Sequence, residues 1–105
     1  MRKQLERLQN SSAGHYDANK SEKNIAERGL SFELAHDFEM AGALIVEDVR
    51  MAYPERRFQA LGYLDDRLHM LVFTPRGGMV HVISLRKANS REVKRYEQAK
   101  NQQSD

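Results

Sequence analysis

Two short segments hold the residues best suited to chemistry. Arg86 and Lys87 stand together where the apolar run "HVISL" gives way to the charged "ANSREVKRYEQ". Arg57 opens a second apolar run, with Tyr53 and Glu55 just before it and Gln59 just after. A guanidinium stays charged and offers a planar fork that fits two phosphate oxygens, so Arg57, Arg86 and Lys87 are candidate phosphate-handling groups. Histidine is the side-chain type whose ordinary charge change lies nearest neutrality, so His81 is a candidate proton carrier, as are Glu55 and Tyr53. Arg76, Arg91, Gln59 and Tyr96 are candidates to contact a bound polyanion, Tyr96 by stacking on a base. Each has a plainer reading. The cations can be solvated surface charge or docking groups for an acidic partner, and the histidine and Tyr96 can be packing residues. Asp48 and Arg50 read as a pair with each other at a strand end.

Other chemistries find little support. There is no cysteine, which excludes a disulfide framework and a thiolate metal site. The four histidines, at 15, 36, 69 and 81, show no metal-ligand spacing. No metal or cofactor is expected. "RGG" at 76–78 is too short to cradle phosphates and reads as a turn.

The elements that must position these residues follow from the hydrophobic period. A chain of 105 residues carries one modest core. Residues 1–14 read as a flexible extension, 15–100 as the domain and 101–105 as a disordered tail. Asp17 and Gly29 bracket a first helix as N-cap and C′ stop, with Ala18, Ile25 and Ala26 facing inward. Ser31 caps a second, short apolar helix that runs from Phe32 through Phe38 to Met40. After Gly42 the period falls to two. "ALIVED", "RRFQALGYL", "RLHMLVFT" and "MVHVISL" read as four strands, the last three joined by the turns "DD" and "PRGG". A terminal helix over 90–100, capped by Asn89 or Ser90, completes an α+β domain: two N-terminal helices, a largely antiparallel four-stranded sheet and a C-terminal helix. The helices are expected on one sheet face.

Turn lengths also fix an expected register. The "DD" turn pairs Leu64 with Arg67 and Gln59 with Val72, and a four-residue "PRGG" loop pairs Thr74 with Met79 and Val72 with His81. Arg57, Gln59, Thr74 and His81 then share one face, while Ser84 and Arg86 join Phe58, Phe73 and Val80 on the other, core face. A one-residue slip would exchange the faces.

Net charge is +2, but it is unevenly divided: residues 1–49 carry 6 Lys/Arg and 9 Asp/Glu, residues 50–105 carry 11 and 6. A basic half suits a polyanion or an acidic partner. No apolar run reaches the roughly 18 residues that span a bilayer, and the first residues lack the apolar core of a secretory signal. A cytoplasmic location without membrane attachment is the expectation.

"YDANKSEKNIAERGLSFELA" and "RRFQALGYLDDRLHMLVFTPRGGMVHVISLRKANSREVKRYE" together resemble the BrnT toxin family. That family carries an aromatic-Asp pair opening "K..N...HG.SFEEA", then "ERF.ALG" and "IISARKA...E...YE". Here Tyr16 stands for the usual Trp, Arg28 for a common His, Leu85 for Ala, and His81 for an apolar residue. Arg57 matches the Arg of "ERF", and Arg86 and Lys87 match "ARK". The resemblance implies a RelE-like fold and an endoribonuclease that blocks translation. It also implies neutralisation by a ribbon-helix-helix antitoxin, BrnA, in a heterotetramer of two toxins on an antitoxin dimer that meets DNA only through the antitoxin. Metal-free RNA cleavage would need a base, an acid and a cation for the phosphorane charge. A non-catalytic module that binds nucleic acid or a protein partner is the alternative.

Overall fold

The computed structural model describes residues 16–103, so the 1–14 extension and the last two residues lie outside the described residues. In chain order the elements are helix α1 (Ala18–Arg28), a 3₁₀ helix (Phe32–Asp37), strands β1 (Leu44–Glu47), β2 (Phe58–Leu64), β3 (Arg67–Arg76) and β4 (Met79–Lys87), and helix α2 (Ser90–Gln103). Helix α2 therefore continues past residue 100. The strands form one antiparallel sheet in the order β1-β2-β3-β4. Among the described residues, no helix is long and apolar enough to cross a membrane.

Helix α1 begins and ends at the expected residues. The Asp17 carboxylate accepts from the amides of Asn19 and Lys20, and Gly29 closes the helix at φ 72°. Its inward face is polar, contrary to the expectation of Ala18, Ile25 and Ala26. Ser21 and Asn24 are buried, and Ile25 is 41% exposed. The Asn24 amide donates to the carbonyls of Leu30 and Leu85, both at 2.8 Å. The helix thus lies against the outer edge of β4 and satisfies a strand carbonyl that would otherwise be buried without a partner.

The second helix is a 3₁₀ turn of six residues and stops short of Met40. The spacing accounts for this. Phe32, Ala35 and Phe38 recur every third residue, which three residues per turn places on one side, and all three are buried. They pack on a sheet face made by Ala60, Leu64, Leu71, Phe73, Val80, Val82 and Leu85. Gly62 lets that packing close, because a Cβ there would sit 2.8 Å from Phe38 Cζ. The opposite face has its own core of Leu61, Leu68, Met70 and Tyr96, supplied in part by α2. Helices therefore cover both faces of the sheet, rather than one.

Strand register is as expected between β2 and β3: Leu64 pairs with Arg67 and Gln59 with Val72. Between β3 and β4 it differs. Gly77 and Gly78, at φ 57° and 79°, make a two-residue turn, so Arg76 pairs with Met79 and Thr74 with His81. Pro75 stays in the strand, opposite Val80. A bulge then follows, since Phe73 faces Val82 but Val72 faces Ser84. The extra residue, Ile83, exchanges the two faces for the rest of β4. Leu85 enters the core, and Ser84 and Arg86 turn to the face of Gln59 and Val72, opposite to the expected one.

Candidate functional site

The long connection 48–57 is built around one carboxylate. The Asp48 side chain is fully buried in the ion pair it makes with the largely exposed Arg50. It accepts from Arg50 Nε at 2.8 Å, from Arg50 Nη2 at 2.7 Å, and from the Tyr53 hydroxyl at 3.2 Å. The Asp48 amide donates to the Arg57 carbonyl at 2.7 Å, which ties the two ends of the loop. Arg50 holds the Asp48 carboxyl well below its usual range, although burial opposes the shift.

Tyr53 carries this order to Arg57. Its hydroxyl is held by Asp48, and its ring lies 4.0 Å from the Arg57 guanidinium carbon. The stack is a cation–π contact that fixes the guanidinium without occupying its N–H fork. No described carboxylate pairs with Arg57.

Arg57 lines a cleft of about 110 Å³ together with Lys20, Glu55, Thr74, Arg76 and His81. Glu55 accepts from Arg76 Nε at 3.0 Å and from the Thr74 hydroxyl at 3.1 Å. The hydrogen bond from Arg76, then that from Thr74, pulls the Glu55 carboxyl below its usual value. A carboxylate so held is a weak base and a rare acid near neutrality. His81 stands close enough to Glu55 to act on its charge. Histidine is the side-chain type whose ordinary charge change lies nearest neutral pH, and His81 is a histidine that lines the cleft.

The structure thus brings Arg57, Glu55, Arg76 and His81 together, with Tyr53 beneath Arg57 and Gln59 on the same sheet face. Other candidates lie elsewhere. Arg86 is half-buried and bidentate to Glu92, with both bonds at 2.8 Å. Glu92 also accepts from the Asn89 amide, and Asn89 accepts from the Glu92 amide, so a capping box opens α2 and Arg86 braces it. Lys87 and Arg91 are exposed beside that helix start, away from the cleft. Tyr96 is buried in the second core, its hydroxyl on the Gly42 carbonyl at 3.2 Å and its ring edge-on to Tyr63. Burial raises its phenol pKa, and its face is not open to a base.

Replacing Arg86 should therefore read as a stability change first. Arg86→Ala is expected to lower the unfolding free energy by about 1–2 kcal/mol, the usual cost of losing hydrogen bonds to a charged, largely buried partner. Urea denaturation measures it. An unchanged midpoint would show that the Glu92 pair contributes nothing.

Lys20 is the cleft residue that the site reading missed. It comes from α1, on the far side of the chain from the strands, and no spacing relates it to Arg57. No motif spacing singled it out, since "K..N" counted back from Asn24 falls on Ser21.

No curated protein and no solved structure gives a significant match to the chain. The family model of the ribonuclease toxin BrnT of type II toxin–antitoxin systems matches residues 16–92. That span includes α1, the whole sheet and every residue of the cleft. Most of the chain being matched, it belongs to the BrnT family of ribonuclease toxins of type II toxin–antitoxin systems.

Proposed function

We propose that the cleft is the RNA-cleaving centre and that it works without a metal ion. The observation that carries this reading is Arg57, a guanidinium stacked on Tyr53 with no described carboxylate partner, facing the same cleft as His81. In the reaction a ribose 2′-oxygen attacks the adjacent phosphorus and the bond to the 5′-oxygen breaks. His81 takes the 2′-hydroxyl proton, and an acid, in this reading His81 again or a water it orients, returns one to the leaving oxygen. Arg57 and Lys20 meet the charge that grows on the phosphorane oxygens. Tyr53 positions Arg57, and the Glu55–Arg76 pair shapes the wall. The products are a 2′,3′-cyclic phosphate and a 5′-hydroxyl.

The family implies an antitoxin, which we read as a BrnA-like ribbon-helix-helix protein that forms a heterotetramer with two toxins and supplies all DNA contact. Exposed Ile45, Val46, Val49 and Met51, along the edge strand β1 and the loop after it, support a protein partner of that kind. A cytoplasmic site of action follows from translation being the target.

The purified chain, freed of antitoxin, should cut labelled single-stranded RNA in excess EDTA and leave 5′-hydroxyl ends. Cleavage abolished by EDTA and restored by a divalent ion would overturn the metal-free mechanism. Intact RNA in both conditions would remove the catalytic reading for free RNA.

A further inference from the structure

A second groove adjoins the cleft. It has a volume of about 300 Å³, and its walls include Lys20, Lys23, Arg28 and Ser84. Lys20 and Ile83 line both spaces, so the two run into one another. The cations come from the exposed side of α1, whose buried side is pinned to the sheet edge through Asn24. At 1.5 Å per residue Arg28 lies about 12 Å along the helix from Lys20. Glu27 is the one acid among the described residues that line the groove.

We propose that this groove is an RNA-binding track, in which α1 holds the phosphates of nucleotides that flank the scissile bond. The inference rests on the cleft being the RNA site and extends it to strand length. Continuity with the cleft and the row of cations favour a single strand leaving it. Because Asn24 ties α1 to β4, the cations project from a helix whose place beside the cleft is set by the sheet. Lys20 serves both spaces, and Lys23 and Arg28 serve the track alone. The enzyme should then favour RNAs long enough to reach along α1 over very short ones.

Uncleavable 2′-O-methyl RNAs of four and twelve nucleotides, labelled for fluorescence anisotropy, test this apart from catalysis. Lys23→Ala/Arg28→Ala should weaken binding of the twelve-mer about tenfold at low salt. It should lower the slope of log K against log salt by about 1.4, two contacts at about 0.7 each for single strands. Binding of the four-mer should not change. Lys94→Ala/Arg95→Ala, with the same charge loss on exposed positions of α2, should leave both probes as they were. An unchanged slope for the twelve-mer, an equal loss for both probes, or an equal loss in the α2 variant would each overturn the track. A fall in antitoxin affinity with RNA binding intact would likewise overturn it and give the groove to the protein partner. Wild-type chain that binds both probes but cuts no natural RNA would leave the track standing and remove the catalytic reading.

Discussion

Arg57→Ala is expected to lower kcat/KM for RNA about 10²- to 10³-fold, the usual effect of removing one group that stabilises charge formed in the transition state. The loss should fall mainly on kcat. A phosphodiester carries one negative charge in the ground state and gains a second on the phosphorane, so a cation beside it is worth most there. Stability should change little. Arg57 makes no described ion pair, and what its side chain gives up is the stack on Tyr53, worth about 1 kcal/mol. Arg57→Lys keeps the charge but loses both the fork and the flat face, so it should recover only part of the rate. The comparison with Arg86→Ala makes this diagnostic. That variant should lose stability and keep most of its activity, whereas Arg57→Ala should do the reverse. Full activity in Arg57→Ala would sink the assignment of the cleft, though not membership of the family.

The contrast between these two arginines also shows what could be read without coordinates. Both stood beside apolar strand runs, and nothing in their spacing separated them. The separation comes from long-range partners: Glu92 closes on Arg86 through the start of α2, while the Arg57 guanidinium stacks on the Tyr53 ring and pairs with no carboxylate among the described residues. The caps were legible because Asp17, Gly29 and Asn89 act on neighbours in sequence. The β2–β3 register was legible because a two-residue turn leaves no freedom. The β4 register was not. Two glycines closed a tighter turn than "PRGG" suggested, and the bulge at Ile83 shows no signature, because Val82 and Ile83 are two adjacent β-branched residues that suit either face. That bulge decided the site, since it moved Arg86 off the core face and put Leu85 in its place. The same applies to α1. Its apolar residues promised an apolar contact, but the sheet edge needed hydrogen-bond donors, and Ser21 and Asn24 turned inward instead.

Asp48 is where stability and activity should fail together. The reading of Asp48 and Arg50 as a local pair was right in geometry but understated its reach, because the same carboxylate holds Tyr53 and through it Arg57. Asp48→Asn keeps the shape and removes the charge. At pH 7 it should cost about 2–3 kcal/mol, less than a fully buried pair because Arg50 remains mostly solvated. For a domain of this size that lowers Tm by about 10–20 °C. The sign of the pH dependence follows from the depressed Asp48 carboxyl, set first by Arg50 against the opposing effect of burial. The stabilisation is complete above the unfolded carboxyl value of about 3.9 and is lost as pH falls from there toward the folded one. The gap between wild type and Asp48→Asn should therefore be constant from pH 7 to pH 5 and narrow below about pH 4. Glu47, Glu55 and Glu92 are also held low by their arginine partners, but they are common to both proteins and cancel in the difference. Cleavage should drop about tenfold at a temperature where the variant is still folded, as Tyr53 loses its anchor and Arg57 its fixed position. A gap that does not narrow in acid would mean that Asp48 stabilises the loop through shape rather than charge. Unaltered cleavage in the folded variant would break the link from Asp48 through Tyr53 to Arg57.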